Sequence, residues 1–258
     1  MSESPEIAVV RRLRAAGCVF AEDEARLLLA EARSADELDA LVGRRVAGEP
    51  LEHVLGWAEF AGLRIAVDAG VFVPRRRTEA LVEEAVALAR PGAVVVDLCC
   101  GSGALGVAVA SAVEAVELHA ADVDPTAVAC ARVNVGRLGG RVHAGDLYGA
   151  LPSALRGRVD LLLANVPYVP SEAIALMPPE ARLHEARVAL DGGADGLDVA
   201  RRVVAEAPVW LAPGGAVLFE TSEDQAAAAV RTVEAAGLAA RLVTDDDRGA
   251  TVVVGISG

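Results

Sequence analysis

The chain contains no lysine: all 24 basic residues are arginine. It is also poor in aromatics, with 2 Trp, 2 Tyr and 4 Phe in 258 residues, so its core has to be built mainly from Ala, Val and Leu. The 4 cysteines, Cys18, Cys99, Cys100 and Cys130, show no CxxC spacing. That speaks against a disulfide framework and a zinc site, and fits a reducing, cytoplasmic setting. No run of about 18 uncharged apolar residues is present, which speaks against a transmembrane helix. The stretch Met1–Glu6 lacks the basic and apolar regions of a secretory signal. Positive charge is in short supply, leaving a net charge of −13. An acidic surface repels phosphate backbones and so argues against nucleic acid as a direct substrate. The imbalance is smaller in residues 1–90 (net −4) than in residues 91–258 (net −9), which makes the N-terminal part the expected docking place for an acidic or polar partner.

What is present falls into two rhythms. Residues 5–48 have helical spacing: Ile7, Val10, Leu13 and Arg14 before a stop at Gly17, then Ala25–Ala32, then Ala35–Val46 with Ser34 as N-cap. Gly48-Glu49-Pro50 ends the series, and alternation over residues 57–73 reads as a hairpin. A helix follows at roughly 78–90, opened by Pro74 and the triplet Arg75-Arg76-Arg77. From Ala93 the chain alternates strands (93–98, 116–121, 141–144, 159–164, 214–220, 239–244, 250–256) with helices near 103–112, 125–136, 195–207 and 223–236. Such alternation implies an α/β fold with a mostly parallel sheet covered on both faces. The short turn Asp245–Gly249 predicts a terminal antiparallel hairpin.

Two strand ends carry chemistry. The first strand runs into Asp97-Leu98-Cys99-Cys100-Gly101-Ser102-Gly103, and Gly101 to Gly106 spells GxGxxG. Asp122 follows 16 residues after Gly106, at the end of the next strand. Dinucleotide sites and S-adenosylmethionine sites share this pattern, because both ligands carry a ribose diol that suits a carboxylate; a plain strand–helix turn can also produce it. Asp97 favours the methyl donor, since an acid attracts an ammonium and repels a pyrophosphate. Asp146, in Gly145-Asp146-Leu147, is a candidate contact to an adenine amine or a solvated turn residue.

The second strand end is Leu161-Leu162-Leu163-Ala164 running into Asn165-Val166-Pro167-Tyr168. An amide nitrogen is a poor nucleophile because its lone pair is delocalised into the carbonyl. The Asn165 side-chain oxygen and the Val166 carbonyl suit the acceptance of both N–H groups of a planar amide. Pro167 would hold the loop and Tyr168 would pack on the substrate, so that positioning and electrostatics carry the reaction. The structural alternative is that Asn165 caps the strand and Val-Pro-Tyr is an ordinary turn.

Asn-Val-Pro-Tyr resembles the Asn-Pro-Pro-Tyr signature of amino-group methyltransferases. The wider chain resembles the HemK/PrmC family, protein-(glutamine-N5) methyltransferases that modify peptide chain release factors. The matching segments are Arg44–Leu51, Leu55-Gly56, Glu59-Phe60, Phe72–Arg75, Thr78-Glu79, Asp97–Gly103 and Ala189–Leu197. The resemblance implies a class I S-adenosylmethionine-dependent methyltransferase, Rossmann-like with a seven-stranded sheet. It implies a helical substrate-recognition domain at 1–55, a β-hairpin linker at 56–74 and a methyltransferase domain at 75–258. Donor contacts are expected from Phe72, Arg75, Asp97, Cys99, Cys100, Gly101, Ser102, Gly103, Asp122, Val123, Asp146, Leu147 and Asn165. The methyl acceptor is expected at Asn165, Pro167, Tyr168 and Glu79, with Asn165 to Tyr168 as the catalytic loop and no metal.

Three departures from the family pattern stand out. Val166 replaces the first proline of the signature, Arg76 and Arg77 replace a Pro and a Glu, and Cys99-Cys100 replace small residues in the glycine-rich loop. They leave the acceptor open, and a paralogue with a different acceptor is one alternative. Others are a small-molecule or nucleic-acid-base N-methyltransferase, a nicotinamide-dependent oxidoreductase and a non-catalytic binding module. Base-flipping enzymes need stacking aromatics and a basic surface, both scarce here.

Overall fold

The computed structural model describes residues 4–258; residues 1–3, part of the stretch read for a secretory signal, lie outside the described residues. Four helices come first: α1 (Pro5–Ala15), α2 (Ala21–Glu31), α3 (Ala35–Val46) and α4 (Leu51–Leu55). They close on a core of their own, built from Val9, Leu13, Ala21, Ala25, Leu28, Val42 and Val54. The inward stripe of α1 is Val9 and Leu13, one turn apart, whereas Ile7, expected on that stripe, is exposed. Ser34 caps α3 as expected, its hydroxyl accepting from the Glu37 N–H at 3.1 Å.

The hairpin is shorter than the alternation suggested: β1 (Trp57–Phe60) and β2 (Leu63–Ala66) pair, and Val71–Val73 is not a strand. Val71 and Val73 pack instead with Ala58, Val67 and Cys130. The Val71 carbonyl meets His53 Nε2 at 2.8 Å, and the Val73 N–H donates to Glu185 at 3.2 Å. Alternating burial reflects packing on two sides there, and the chain has no neighbouring strand to extend the ladder.

After α5 (Glu79–Leu88) come β3 (Val94–Leu98), α6 (Ala104–Ala112), β4 (Glu117–Asp122), α7 (Pro125–Gly136), β5 (Arg141–Ala144) and β6 (Val159–Ala164). The chain continues through α8 (Pro179–His184), which had no counterpart in the sequence reading, and α9 (Asp198–Trp210). It ends with β7 (Leu211–Thr221), α10 (Glu223–Ala235), β8 (Ala239–Asp245) and β9 (Ala250–Ile256). The sheet order is β5-β4-β3-β6-β7-β9-β8; the first five strands are parallel, and β9 inserts antiparallel between β7 and β8. Period-two alternation places Val95, Leu161, Leu163 and Leu218 on one face, under α5, α6 and α7. It places Val94, Val96, Leu162 and Phe219 on the other, under α9 and α10.

Strand order reverses between β3 and β6, so their C-terminal ends lie side by side, with Leu98 opposite Ala164. The glycine-rich loop and the Asn165 loop therefore leave the sheet next to each other. In open parallel sheets this reversal opens the crevice where ligands bind.

Candidate active site

A cavity of about 1040 Å³, counting the space at its mouth, opens at this reversal. Its wall includes eleven of the expected site residues: Phe72, Cys99, Cys100, Gly101, Ser102, Asp122, Val123, Asp146, Leu147, Asn165 and Pro167. The loop between β3 and α6 is held from behind. Asp122 accepts from the Gly101 N–H through Oδ2 and from the Asp124 N–H through Oδ1, both at 2.9 Å. Asn134, buried in α7, donates to the Ser102 carbonyl at 2.9 Å and pairs in both directions with the Ala66 backbone. One side chain thus ties the hairpin to the glycine-rich loop.

The glycines have separate reasons. Gly101 needs its φ of +54° to turn beside Phe72. A Cβ on Gly106 would lie 2.8 Å from Leu118 Cδ1, so this position sets how closely α6 approaches the sheet. Cys99 adopts φ +53°, a left-handed conformation costly for a residue with a Cβ, where the family pattern has a small residue.

Six expected residues sit elsewhere. Asp97 is wholly buried beneath the loop and off the wall: Oδ2 accepts from the Gly106 N–H at 2.9 Å, and Oδ1 has no partner. Burial pushes its carboxyl up to about 8. The expected direct contact with a ligand ammonium is replaced by a position one layer down. Gly103 faces α7, where a Cβ would come 2.8 Å from Val135 Cγ2. Arg75 pairs with the buried Glu185 and lies over the Phe72 ring at 5.0 Å. Glu79, expected at the acceptor, instead accepts from the Ala61 N–H at 2.9 Å and so holds the hairpin tip. Val166 is buried, and Tyr168 turns its hydroxyl away from the cavity to Glu220 at 2.8 Å.

Asn165 stands on the cavity wall, and its side chain makes no hydrogen bond among the described residues. Nor do any of the described hydrogen bonds use the Val166 carbonyl. The rest of the loop is strapped. Val169 N–H donates to the Leu190 carbonyl and Gly192 N–H to the Val169 carbonyl, at 3.1 and 2.9 Å. Gln225 Nε2 reaches the Tyr168 carbonyl at 2.9 Å. A Cβ on Gly192 would be 2.6 Å from the Pro167 carbonyl, and one on Gly196 would be 2.2 Å from that of Tyr168. Gly192 and Gly196 answer to this close approach, whereas a Cβ on Gly193 would meet the Asp198 side chain.

Sequence reasoning missed several wall residues: Thr78, Leu105, Ala186, Val188, Val199 and Arg202. Arg202 pairs with Asp146 at 2.6 Å across 56 residues, a contact with no local sequence signal. The charged side chains on the wall are Asp122, Asp124 and Asp146 against Arg202, an excess of negative charge.

Sheet order, cavity position and glycine-rich loop define a class I methyltransferase fold, and residues 62–195 match the family model of the Methyltransferase small domain. A solved methyltransferase from Pyrococcus furiosus shares the fold, with a TM-score of 0.58 at 18% identity over 76% of this chain and 90% of that one. The release factor glutamine methyltransferase of Geobacter sulfurreducens is 38% identical over 217 residues, 83% of this chain and 75% of that protein. Its counterpart in Cereibacter sphaeroides is 36% identical over 261 residues, 93% and 92% of the two chains. The chain belongs to the release factor glutamine methyltransferase family.

Proposed function

We propose that this chain transfers a methyl group from S-adenosylmethionine to the side-chain amide nitrogen of a glutamine in a peptide chain release factor. The observation that carries the reading is the Asn165 side chain, without a hydrogen-bond partner among the described residues, on the wall of a cavity that also holds the glycine-rich loop. S-adenosylmethionine supplies an electrophilic methyl on a sulfonium centre. The wall suits such a molecule. Each Asp122 oxygen keeps a lone pair for a ribose hydroxyl beyond its backbone bonds. Leu105, Val123, Leu147 and Val199 offer apolar surface for a base. The excess of acids fits a cationic donor and opposes the pyrophosphate of a dinucleotide.

The protein's part in the transfer is positioning. Asn165 Oδ1 and the Val166 carbonyl accept the two amide hydrogens, which fixes the amide plane and favours charge build-up on nitrogen. A nitrogen–carbon bond forms, the sulfur–carbon bond breaks, and one amide proton then leaves to water. Because that proton becomes acidic only after methylation begins, no strong general base is required. The helices of residues 1–55, with their own core, are the proposed recognition domain, residues 56–74 the linker and residues 75–258 the catalytic domain. Among the described residues no helix is long and apolar enough to cross a membrane, and the cytoplasm is the proposed compartment.

The test is transfer of labelled methyl from S-adenosylmethionine to purified release factor, with the site mapped by mass spectrometry. Label on a glutamine side chain is expected; label only on other residues would refute the reading. Asn165→Ala is expected to lower the rate by about two orders of magnitude while donor affinity, measured by calorimetry, stays within a few-fold.

A further inference from the structure

Arg77 stands off the cavity wall, yet it is bonded to the loop that forms part of it. Its Nε donates to Glu220 Oε1 at 2.8 Å, and its Nη2 donates to the Tyr168 hydroxyl. Tyr168 in turn donates to the same Glu220 oxygen at 2.8 Å, and the Arg77 guanidinium lies 5.6 Å from the centre of its ring. Glu220 is 2% exposed, its other oxygen has no partner, and among the described residues no other cation pairs with it. A buried carboxylate left without a counter-charge is strongly unfavourable, so this pairing holds the cluster together.

Glu220 lies on β7 one residue beyond Phe219, which faces Ala164 of β6, so the carboxylate sits beside the start of the Asn165 loop. The loop's backbone is anchored through Gln225 at Tyr168, and among the described residues the Tyr168 hydroxyl bonds only Glu220 and Arg77. Two departures from the family pattern therefore meet at one loop: Val166, which leaves the backbone free of a proline's fixed φ, and Arg77, which grips the ring two residues on.

We propose that Arg77 is a positioning residue for the acceptor loop: by pairing with buried Glu220 and bonding the Tyr168 hydroxyl, it holds Tyr168, and with it Asn165 and Pro167, in the conformation that grips the acceptor amide. The proposal rests on the glutamine-transfer reading for its kinetic consequence. Its structural consequence can be read without any acceptor.

The experiment uses the full chain carrying 3-fluorotyrosine. The chain has 2 tyrosines, Tyr148 and Tyr168, so fluorine NMR gives two signals that Tyr168→Phe assigns. Arg77→Met is expected to shift or broaden the Tyr168 signal and leave that of Tyr148 in place. Against release factor it should lower kcat by about tenfold or more, with donor affinity within about twofold of the parent. Arg77→Lys, which keeps the counter-charge to Glu220 but loses the planar fork, is expected to recover only part of the loss. Should Arg77→Met fail to fold, Arg77→Gln takes its place. An unchanged Tyr168 signal in the uncharged variant overturns the proposal, as does undiminished kcat. A displaced Tyr168 signal in a protein whose parent methylates no glutamine would instead count against the glutamine reading, leaving Arg77 as the holder of the ring.

Discussion

Asp97 illustrates how one buried acid can serve a site whose surface it does not reach. Its carboxyl is held up to about 8 by burial, so at neutral pH it is mostly protonated before any cation arrives. A bound cationic donor above the loop favours the ionised form, lowers that value and expels a proton. Donor affinity is therefore expected to rise as pH climbs towards 8 and to level off above it. Calorimetry at neutral pH in two buffers of different ionisation enthalpy should show proton release, and Asp97→Asn should abolish it. Identical heats in both buffers for the parent protein would contradict this account. The same raised value means that the folded state holds a proton the unfolded chain releases, so Asp97 lowers stability as pH rises between 3.8, the ordinary value of an aspartate, and about 8.

Loops and strands show why family segments with no chemistry of their own recur beside the site. Asp191–Gly196 places no reactive group on the cavity wall; it is the strap against which the Asn165 loop rests. Gly196→Ala puts a methyl 2.2 Å from the Tyr168 carbonyl, at a φ of +78° that disfavours any Cβ. The loop has to move. The expected result is a loss of about 1–3 kcal/mol in stability, the usual range for overpacking, together with a fall in transfer rate larger than any fall in donor affinity. Thermal unfolding and steady-state kinetics on the same preparation check this; transfer at the parental rate would show that the strap is not needed. The strands themselves were legible in advance because each has a local signal: Val94–Leu98 and Val159–Ala164 are short apolar runs ended by turn residues, and their bounds match the expectation within a residue. Helix α8 and the irregular segment at Val71–Val73 were not legible, since both depend on what packs against them rather than on periodicity.

At the scale of the whole molecule, Arg45 ties the helical core to the part that carries the sheet. It belongs to α3 of the helical part, forms a fork with Glu24 of α2 at 2.7 and 3.1 Å, and reaches Glu180 of α8. Only 9% of its side chain is exposed. Arg45→Met is expected to cost about 3–5 kcal/mol, because Glu24 is then left buried without a counter-charge. Adding Glu24→Gln should recover part of that loss. Urea unfolding measures both, and a loss below about 1 kcal/mol, the range of surface pairs, would show the cluster to be solvated. Arg45 falls within a segment that resembles the family's linker, but its partners lie 21 and 135 residues away. Nothing along the chain could have named them.

The sequence by itself determined the parallel sheet, the glycine-rich turn and the Asn165 loop, because periodicity and turn chemistry act over a few neighbouring residues. That the Asn165 loop and the loop from Cys99 to Ser102 leave adjacent strand ends was decided by the tertiary structure, because it depends on β3 pairing with β6. Only the tertiary structure decided that Asp97 lies beneath the cavity rather than on it, that Glu79 holds the hairpin, and that Arg77, Glu220 and Tyr168 form one cluster. Those outcomes turn on burial and on charge pairs 143 residues apart, which no local pattern encodes.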